Sequence, residues 1–260
     1  NYYIRVKNNM VKICVEEYNK DSKYNKYFEE FPFDLSDFQK YAIESIVEGC
    51  HCLVTAHTGS GKTLPAEFGI KYMTGKGKKV IYTSPIKALS NQKFYDFKEK
   101  YPELSIGLFT GDIKTNPEAD VLIMTTEILM NYLFNMKENE SLIKNLDFEI
   151  DIQNELGCVV FDEVHYINDE HRGDVWEKTI LMLPEHVQMI MLSATIDGPE
   201  KFAKWCEDRY NNKEVYLCST DHRVVPLGHY SYITSIELFY KKLKDKDLEE
   251  QLKKDTSKLI

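Results

Sequence analysis

No stretch of the 260 residues offers the roughly 18 uncharged apolar positions that a membrane-crossing helix needs, so no membrane partner is expected. The chain begins Asn1-Tyr2-Tyr3-Ile4-Arg5, without a cationic stretch leading into an apolar one, so secretion is not expected either. An intracellular protein, cytoplasmic or nuclear, is the expectation. Paired C-x₂-C spacing is also missing: the cysteines stand at 14, 50, 52, 158, 206 and 218, and they read as reduced thiols packed beside strands. The tight Cys50-His51-Cys52 triplet makes a poor metal site, because neighbours in a strand point to opposite faces. Nor is there an excess of positive charge. Lysine and arginine total 33 against 42 acids, a net charge of −9, which taken alone argues against a nucleic-acid partner. Net charge averages over the whole surface, however, and a strand can be gripped along one edge by amides, hydroxyls and a few lysines. No internal repeat is visible.

Hydrophobic residues make up 43% of the chain, enough for a full core. They gather in short runs: Cys52 to Ala56, Val80 to Thr83, Ile106 to Phe109, Val121 to Met124, Val159 to Phe161 and Met189 to Leu192. Near-continuous apolar runs suit strands buried on both faces of a parallel sheet. Helical patterns lie between them, as over Leu35 to Val47, Ala88 to Tyr101, Glu127 to Phe134 and Glu200 to Tyr210. The alternation specifies an α/β domain with a doubly wound, mostly parallel sheet, set over residues 31–230. Residues 1–30 read as a polar N-terminal extension and 135–156 as a charged surface insertion. Residues 231–260, with Leu238, Leu243, Leu248 and Leu252, read as an amphipathic helix or tail.

Two motifs carry chemistry. Ala56-His57-Thr58-Gly59-Ser60-Gly61-Lys62-Thr63 follows a strand and leads into a helix beginning near Leu64. Small residues at Thr58, Gly59, Ser60 and Gly61 let backbone N–H groups curl round phosphates. Lys62 reaches the β- and γ-phosphates, and the Thr63 hydroxyl holds Mg²⁺. Roughly a hundred residues later, about the span a set of βα units requires, an apolar strand ends in Asp162-Glu163-Val164-His165. There Asp162 would hold Mg²⁺ through water, and Glu163 would orient or deprotonate the attacking water. ATP and Mg²⁺ are the implied cofactors. Alone, either motif has a bland reading, a glycine-rich turn or a solvated strand end; in order, they read as a nucleotide site.

With these motifs the chain resembles the DExH-box helicases of superfamily two, and within them the Ski2-like and Mtr4-like group that acts with the RNA exosome and the superkiller complex. Thr83 to Lys93, Leu108 to Ile113, Met124 to Leu129, Phe161 to Ile167, Arg172 to Glu177, Leu192 to Ile196 and Val225 to Tyr230 carry the likeness, from Phe31 to about Tyr230. The resemblance implies the first RecA-like lobe of an ATP-dependent 3′-to-5′ RNA helicase, with a P-loop fold and single-stranded RNA and RNA-decay complexes as partners. It implies an adenine site at Phe31, Phe33 and Gln39. It also implies an RNA surface at Pro85, Lys87, Asn91, Gly111, Asp112, Thr125, Thr126 and Arg172. Ser193, Ala194 and Thr195 would couple hydrolysis to lobe movement, with His165 as their hydrogen-bond partner.

The chain departs from the group in Gly59-Ser60, where Ser-Ala is frequent, in Lys178, where a second glutamate is common, and in Val224, where proline is common. The family's second RecA-like lobe, which donates arginines to the γ-phosphate, has no room in the thirty or so residues after Tyr230. Truncation is the favoured explanation, and this stretch of chain is expected to bind ATP and RNA weakly with little turnover. A repair-type DNA helicase and a non-catalytic nucleotide-gated binding module are the competing readings.

Overall fold

The computed structural model describes residues 11–138, 150–194, 196–209, 213–222, 226, 228 and 246–256. Two units emerge, Asn1–Val224 and Val225–Ile260. The first is built on one nine-stranded sheet: β1 (Lys12–Cys14), β2 (His51–Ala56), β3 (Lys79–Ser84), β4 (Ile106–Phe109), β5 (Lys114–Thr115), β6 (Val121–Thr125), β7 (Leu156–Phe161), β8 (Gln188–Ser193) and β9 (Val215–Thr220). Their spatial order is β1-β9-β2-β8-β7-β3-β6-β4-β5. Every pairing is parallel except β4 with β5, which run antiparallel.

Helices cover both faces because alternate residues of each strand point opposite ways. Val54, Tyr82, Ile123, Val160 and Leu192 pack with α2 (Asp37–Glu48), α3 (Leu64–Thr74) and α4 (Lys87–Lys100). Their neighbours Leu53, Ile81, Met124, Phe161 and Met191 pack with α5 (Thr126–Glu138), α6 (Gly173–Met182) and α7 (Pro199–Arg209). A four-residue α1 (Asn25–Phe28) precedes α2, and a short 3-10 helix, Val164–Asn168, follows β7. Fully buried Trp176 of α6 stacks on Tyr166 of that 3-10 helix. In the second unit the structure describes α8 (Lys246–Thr256). It falls within the residues expected to be helical; Leu238 and Leu243 lie outside the described residues.

Two expectations about organisation are corrected. Residues 12–28 are no polar appendage: β1 pairs with β9 in register Cys14↔Cys218, and Tyr18 and Tyr24 are buried. Aromatic side chains with polar tips helped this segment read as polar, whereas Tyr18 and Tyr24 donate to Glu44 and Glu48 of α2. The surface insertion at 135–156 is likewise too broad. Residues 135–138 end α5, and Ile150, Ile152 and Leu156 are buried in the core. Residues 139–149 lie outside the described ones.

Candidate functional site

Parallel pairing brings the carboxyl ends of the strands to one edge, with Thr55 beside Ser193, Thr83 beside Phe161 and Ser84 beside Thr125. The loops that follow those strands therefore share that edge, which is where ligands bind in such sheets. The phosphate loop leaves β2, the acidic pair follows β7, and Ser193 ends β8 between them.

In the loop, Gly59 and Gly61 both take φ of +83°, a conformation that turns successive amides inward and that side chains resist. A Cβ at Gly61 would also lie 2.6 Å from Gln39 Nε2. Ser60 Oγ donates to the His57 carbonyl at 2.6 Å and tightens the turn. Thr63 is the N-cap of α3, with Pro65 in its first turn, so the loop runs directly into a helix N-terminus.

The acid pair has a distinct environment for each member. Asp162 is 5% exposed, and its Oδ2 accepts the Tyr82 hydroxyl at 2.6 Å while Oδ1 accepts the Glu163 amide at 3.0 Å. Burial raises the Asp162 carboxyl above its ordinary range, and the Tyr82 hydrogen bond and the Lys93 charge oppose that rise. Burial likewise holds Tyr82 far above the usual phenol range, so it stays a donor. Glu163 adopts the left-handed backbone, φ 53° and ψ 46°, which is strained for a side chain and swings its carboxylate off the strand line. Lys62 Nζ meets both Glu163 oxygens at 3.1 Å. His165 Nδ1 lies 3.4 Å from Glu163 Oε2 without hydrogen-bond geometry.

A hard cation such as Mg²⁺ asks for oxygen donors, few of them from protein when phosphates supply the rest. One carboxylate, Asp162, and one hydroxyl, Thr63, would make a donor set of that kind; among the described residues no group of three or more metal-binding side chains is found.

The remaining expected positions divide. Phe31 and Phe33 lie 6.0 Å apart by ring centroid, and Phe33 is 54% exposed, an open aromatic face. Gln39 is buried with both ends in use: Oε1 accepts from Ser36 N in a capping box, and Nε2 donates to the Gly61 carbonyl at 3.1 Å. It thus ties the aromatic segment to the phosphate loop. Lys87 and Asp112 pair at 2.7 Å on the surface, and Asn91 Oδ1 is buried without a partner. Thr126 is fully buried and donates to the Ser84 carbonyl at 3.4 Å, and Thr125 is 6% exposed. Arg172 donates to the Pro85 carbonyl and to Glu127, so in this state its guanidinium braces the loop after β3. Ser193 Oγ is buried without a partner, so it makes no bond to His165; Ala194 follows it half-buried, and Thr195, the other hydroxyl expected to meet His165, lies outside the described residues. Sequence reasoning missed Tyr82, whose ordinary place in an apolar strand gave no signal of its partner.

Residues 36–202 match the family model described as DEAD/DEAH box helicase. The antiviral helicase SKI2 of Saccharomyces cerevisiae is 48% identical over 197 residues, 76% of this chain and 14% of that one. The exosome RNA helicase MTR4 of Homo sapiens is 40% identical over 211 residues, 81% of this chain and 19% of that one. The chain thus spans less than a fifth of the length of these relatives. Among solved structures, Mycobacterium smegmatis helicase Lhr bound to ssDNA and AMP-PNP superposes with a TM-score of 0.56 at 26% identity, over 76% of this chain and 28% of that one. The matched stretch contains the phosphate loop, the acidic pair and Ser193 on one sheet edge, and the chain belongs to the DEAD/DEAH box helicase family.

Proposed function

We propose that this chain is the ATP-binding lobe of an ATP-dependent RNA helicase of the Ski2-like and Mtr4-like kind, coupling hydrolysis to movement along and unwinding of RNA. One observation carries the reading: Lys62 and Glu163, 101 residues apart in the chain, meet at 3.1 Å on the ligand edge of the sheet. Arriving phosphates would take over the Lys62 ammonium and release Glu163, whose carboxylate then accepts a proton from the attacking water. Asp162 and Thr63 would hold Mg²⁺, which when bound neutralises charge on the phosphates. Phe31, Phe33 and Gln39 would form the base site.

RNA would lie along the β3, β6 and β4 ends, over Pro85, Lys87, Asn91, Gly111, Asp112 and the Thr125-Thr126 turn, with Arg172 bracing Pro85. Such a surface meets sugar and phosphate and reads little base identity. The 3′-to-5′ direction, the second RecA-like lobe, RNA-decay partners and a cytoplasmic or nuclear location follow from the resemblance. Among the described residues no helix is long and apolar enough to cross a membrane.

A DNA helicase is the second reading, favoured by the single-stranded DNA in the Lhr structure. Fluorescence anisotropy with matched single-stranded RNA and DNA, in the presence of Mg²⁺ and a non-hydrolysable ATP analogue, separates the two. RNA is expected to bind the more tightly, by at least about threefold, or 0.6 kcal/mol. Equal affinity, or a preference for DNA, would favour the second reading.

A further inference from the structure

Tyr82 lies on β3, next to β7, and is fully buried. Its ring meets Phe97 of α4 edge-on at 5.4 Å between centroids. A phenylalanine would satisfy that packing, so the hydroxyl calls for its own explanation. A buried hydroxyl destabilises the fold unless it is paired, and most such groups find a backbone partner or water. This one donates instead to Asp162 Oδ2 at 2.6 Å, the short separation of a charge-assisted bond.

The opposite oxygen of the same carboxylate, Oδ1, accepts the Glu163 amide at 3.0 Å. Asp162 is therefore held at both oxygens, and its carboxylate plane cannot turn without breaking one bond. Behind the pair stands α4. Its Lys93 places Nζ 6.0 Å from the ring centroids of both Tyr82 and Phe97, and its charge favours ionised Asp162. The helix that carries Lys87 and Asn91 thus also supports the phenol.

We infer that Tyr82 is a positioning residue for Asp162, its hydroxyl fixing the carboxylate in the orientation in which it receives the hydrated metal of a bound nucleotide. The inference rests on the proposed role of Asp162 at the metal. An acid left to rotate would have to be ordered each time the metal arrived, whereas one clamped at both oxygens is ordered beforehand. Tyr82 touches neither nucleotide nor metal in this scheme and acts only through Asp162.

The test is titration calorimetry of ADP with and without Mg²⁺, reading the ratio of the two affinities in the unaltered chain, Asp162→Asn, Tyr82→Phe and the double variant. Tyr82→Phe keeps the ring and its contact with Phe97, and a thermal melt checks that the fold survives. Asp162→Asn is expected to remove most of the metal-dependent gain. Tyr82→Phe is expected to lower the ratio by about tenfold, in line with other partners of metal-binding groups. The double variant should match Asp162→Asn alone, because a residue acting through another adds nothing once that other is gone. If Asp162→Asn leaves the ratio unchanged, the assignment of Asp162 to the metal fails. If Asp162→Asn lowers it and Tyr82→Phe does not, or if Tyr82→Phe weakens ADP equally with and without Mg²⁺, the positioning role of Tyr82 is overturned.

Discussion

Lys62 Nζ sits 3.1 Å from each carboxylate oxygen of Glu163, so the phosphate-loop lysine and the second acid after β7 neutralise one another. Both side chains are largely shielded, at 10% and 27% exposure, and the pair has real but partial protection from solvent. Phosphate oxygens would compete with Glu163 for the same ammonium. Lys62→Ala is therefore expected to weaken ADP and ATP binding by roughly ten- to a hundredfold, the loss of one charged hydrogen-bond partner. Titration calorimetry giving equal affinities would remove Lys62 from the phosphate site.

Gly61 carries a second constraint. Its φ of +83° disfavours any side chain, and a Cβ there would lie 2.6 Å from Gln39 Nε2. Gly61→Ala should cost about 1–3 kcal/mol from backbone strain and should loosen Gln39 from the loop. Denaturant unfolding together with ADP titration reads both effects. A variant as stable as the parent with undiminished ADP affinity would show that the loop relaxes freely.

Arg172 and Lys87 should behave differently towards RNA. Lys87 lies on the surface in an exposed pair with Asp112, whereas Arg172 holds Glu127 and the Pro85 carbonyl. Lys87→Ala is expected to reduce the slope of log affinity against log salt by about 0.7, the value for one single-strand phosphate. Arg172→Ala is expected to destabilise the fold by about 1–3 kcal/mol while leaving that slope unchanged. A reduced slope in Arg172→Ala would place its guanidinium on a phosphate instead.

Turnover by this chain alone is expected to be slow, with little stimulation by RNA. Among the described residues both arginines are engaged within the chain, Arg172 as above and Arg209 on the Leu181 carbonyl. Arginines that reach a γ-phosphate from an opposing lobe contribute about 10³–10⁵ in rate. Phosphate release measured with and without single-stranded RNA, with Glu163→Gln as background, checks this. Turnover in the range of about 1–100 s⁻¹ would contradict it.

His51 makes the fold sensitive to acid. Burial, with a smaller contribution from Lys213, holds its imidazole down to about 3 against an ordinary 6.5, while Nδ1 accepts the Met189 amide at 3.0 Å. The unfolded chain binds the proton first, so stability from this group is present above about 6.5 and falls as pH drops towards 3. Asp162 and Glu214, raised by burial, act in the opposite sense in the carboxylate range. Urea midpoints of the parent are expected to drop between pH 7 and pH 5, and less so in His51→Asn, which keeps an acceptor but cannot become a cation. Parallel pH profiles would exclude His51 as the cause.

Six strands were legible in the sequence because β2, β3, β4, β6, β7 and β8 are buried on both faces, which leaves continuous apolar runs. The Val215 to Cys218 run of β9 has the same signature and was passed over, and the expected helices overlap α2, α4, α5 and α7 with end shifts of a few residues. Strands β1 and β5, of three and two residues, have too little pattern to read; β1 becomes a strand only because β9, some two hundred residues away, lies beside it.

The candidate site divides along the same line. Sequence by itself determined the phosphate loop and the acid pair, whose chemistry resides in adjacent residues and in a strand-to-turn order that is local. Tertiary structure alone decided that Lys62 holds Glu163, that Tyr82 holds Asp162, that Arg172 braces Pro85 and that Thr126 turns inward. Each of these depends on which strand lies next to which. Strand order is set by the packing of two helical layers on a shared sheet, a property of the whole chain that no single segment contains.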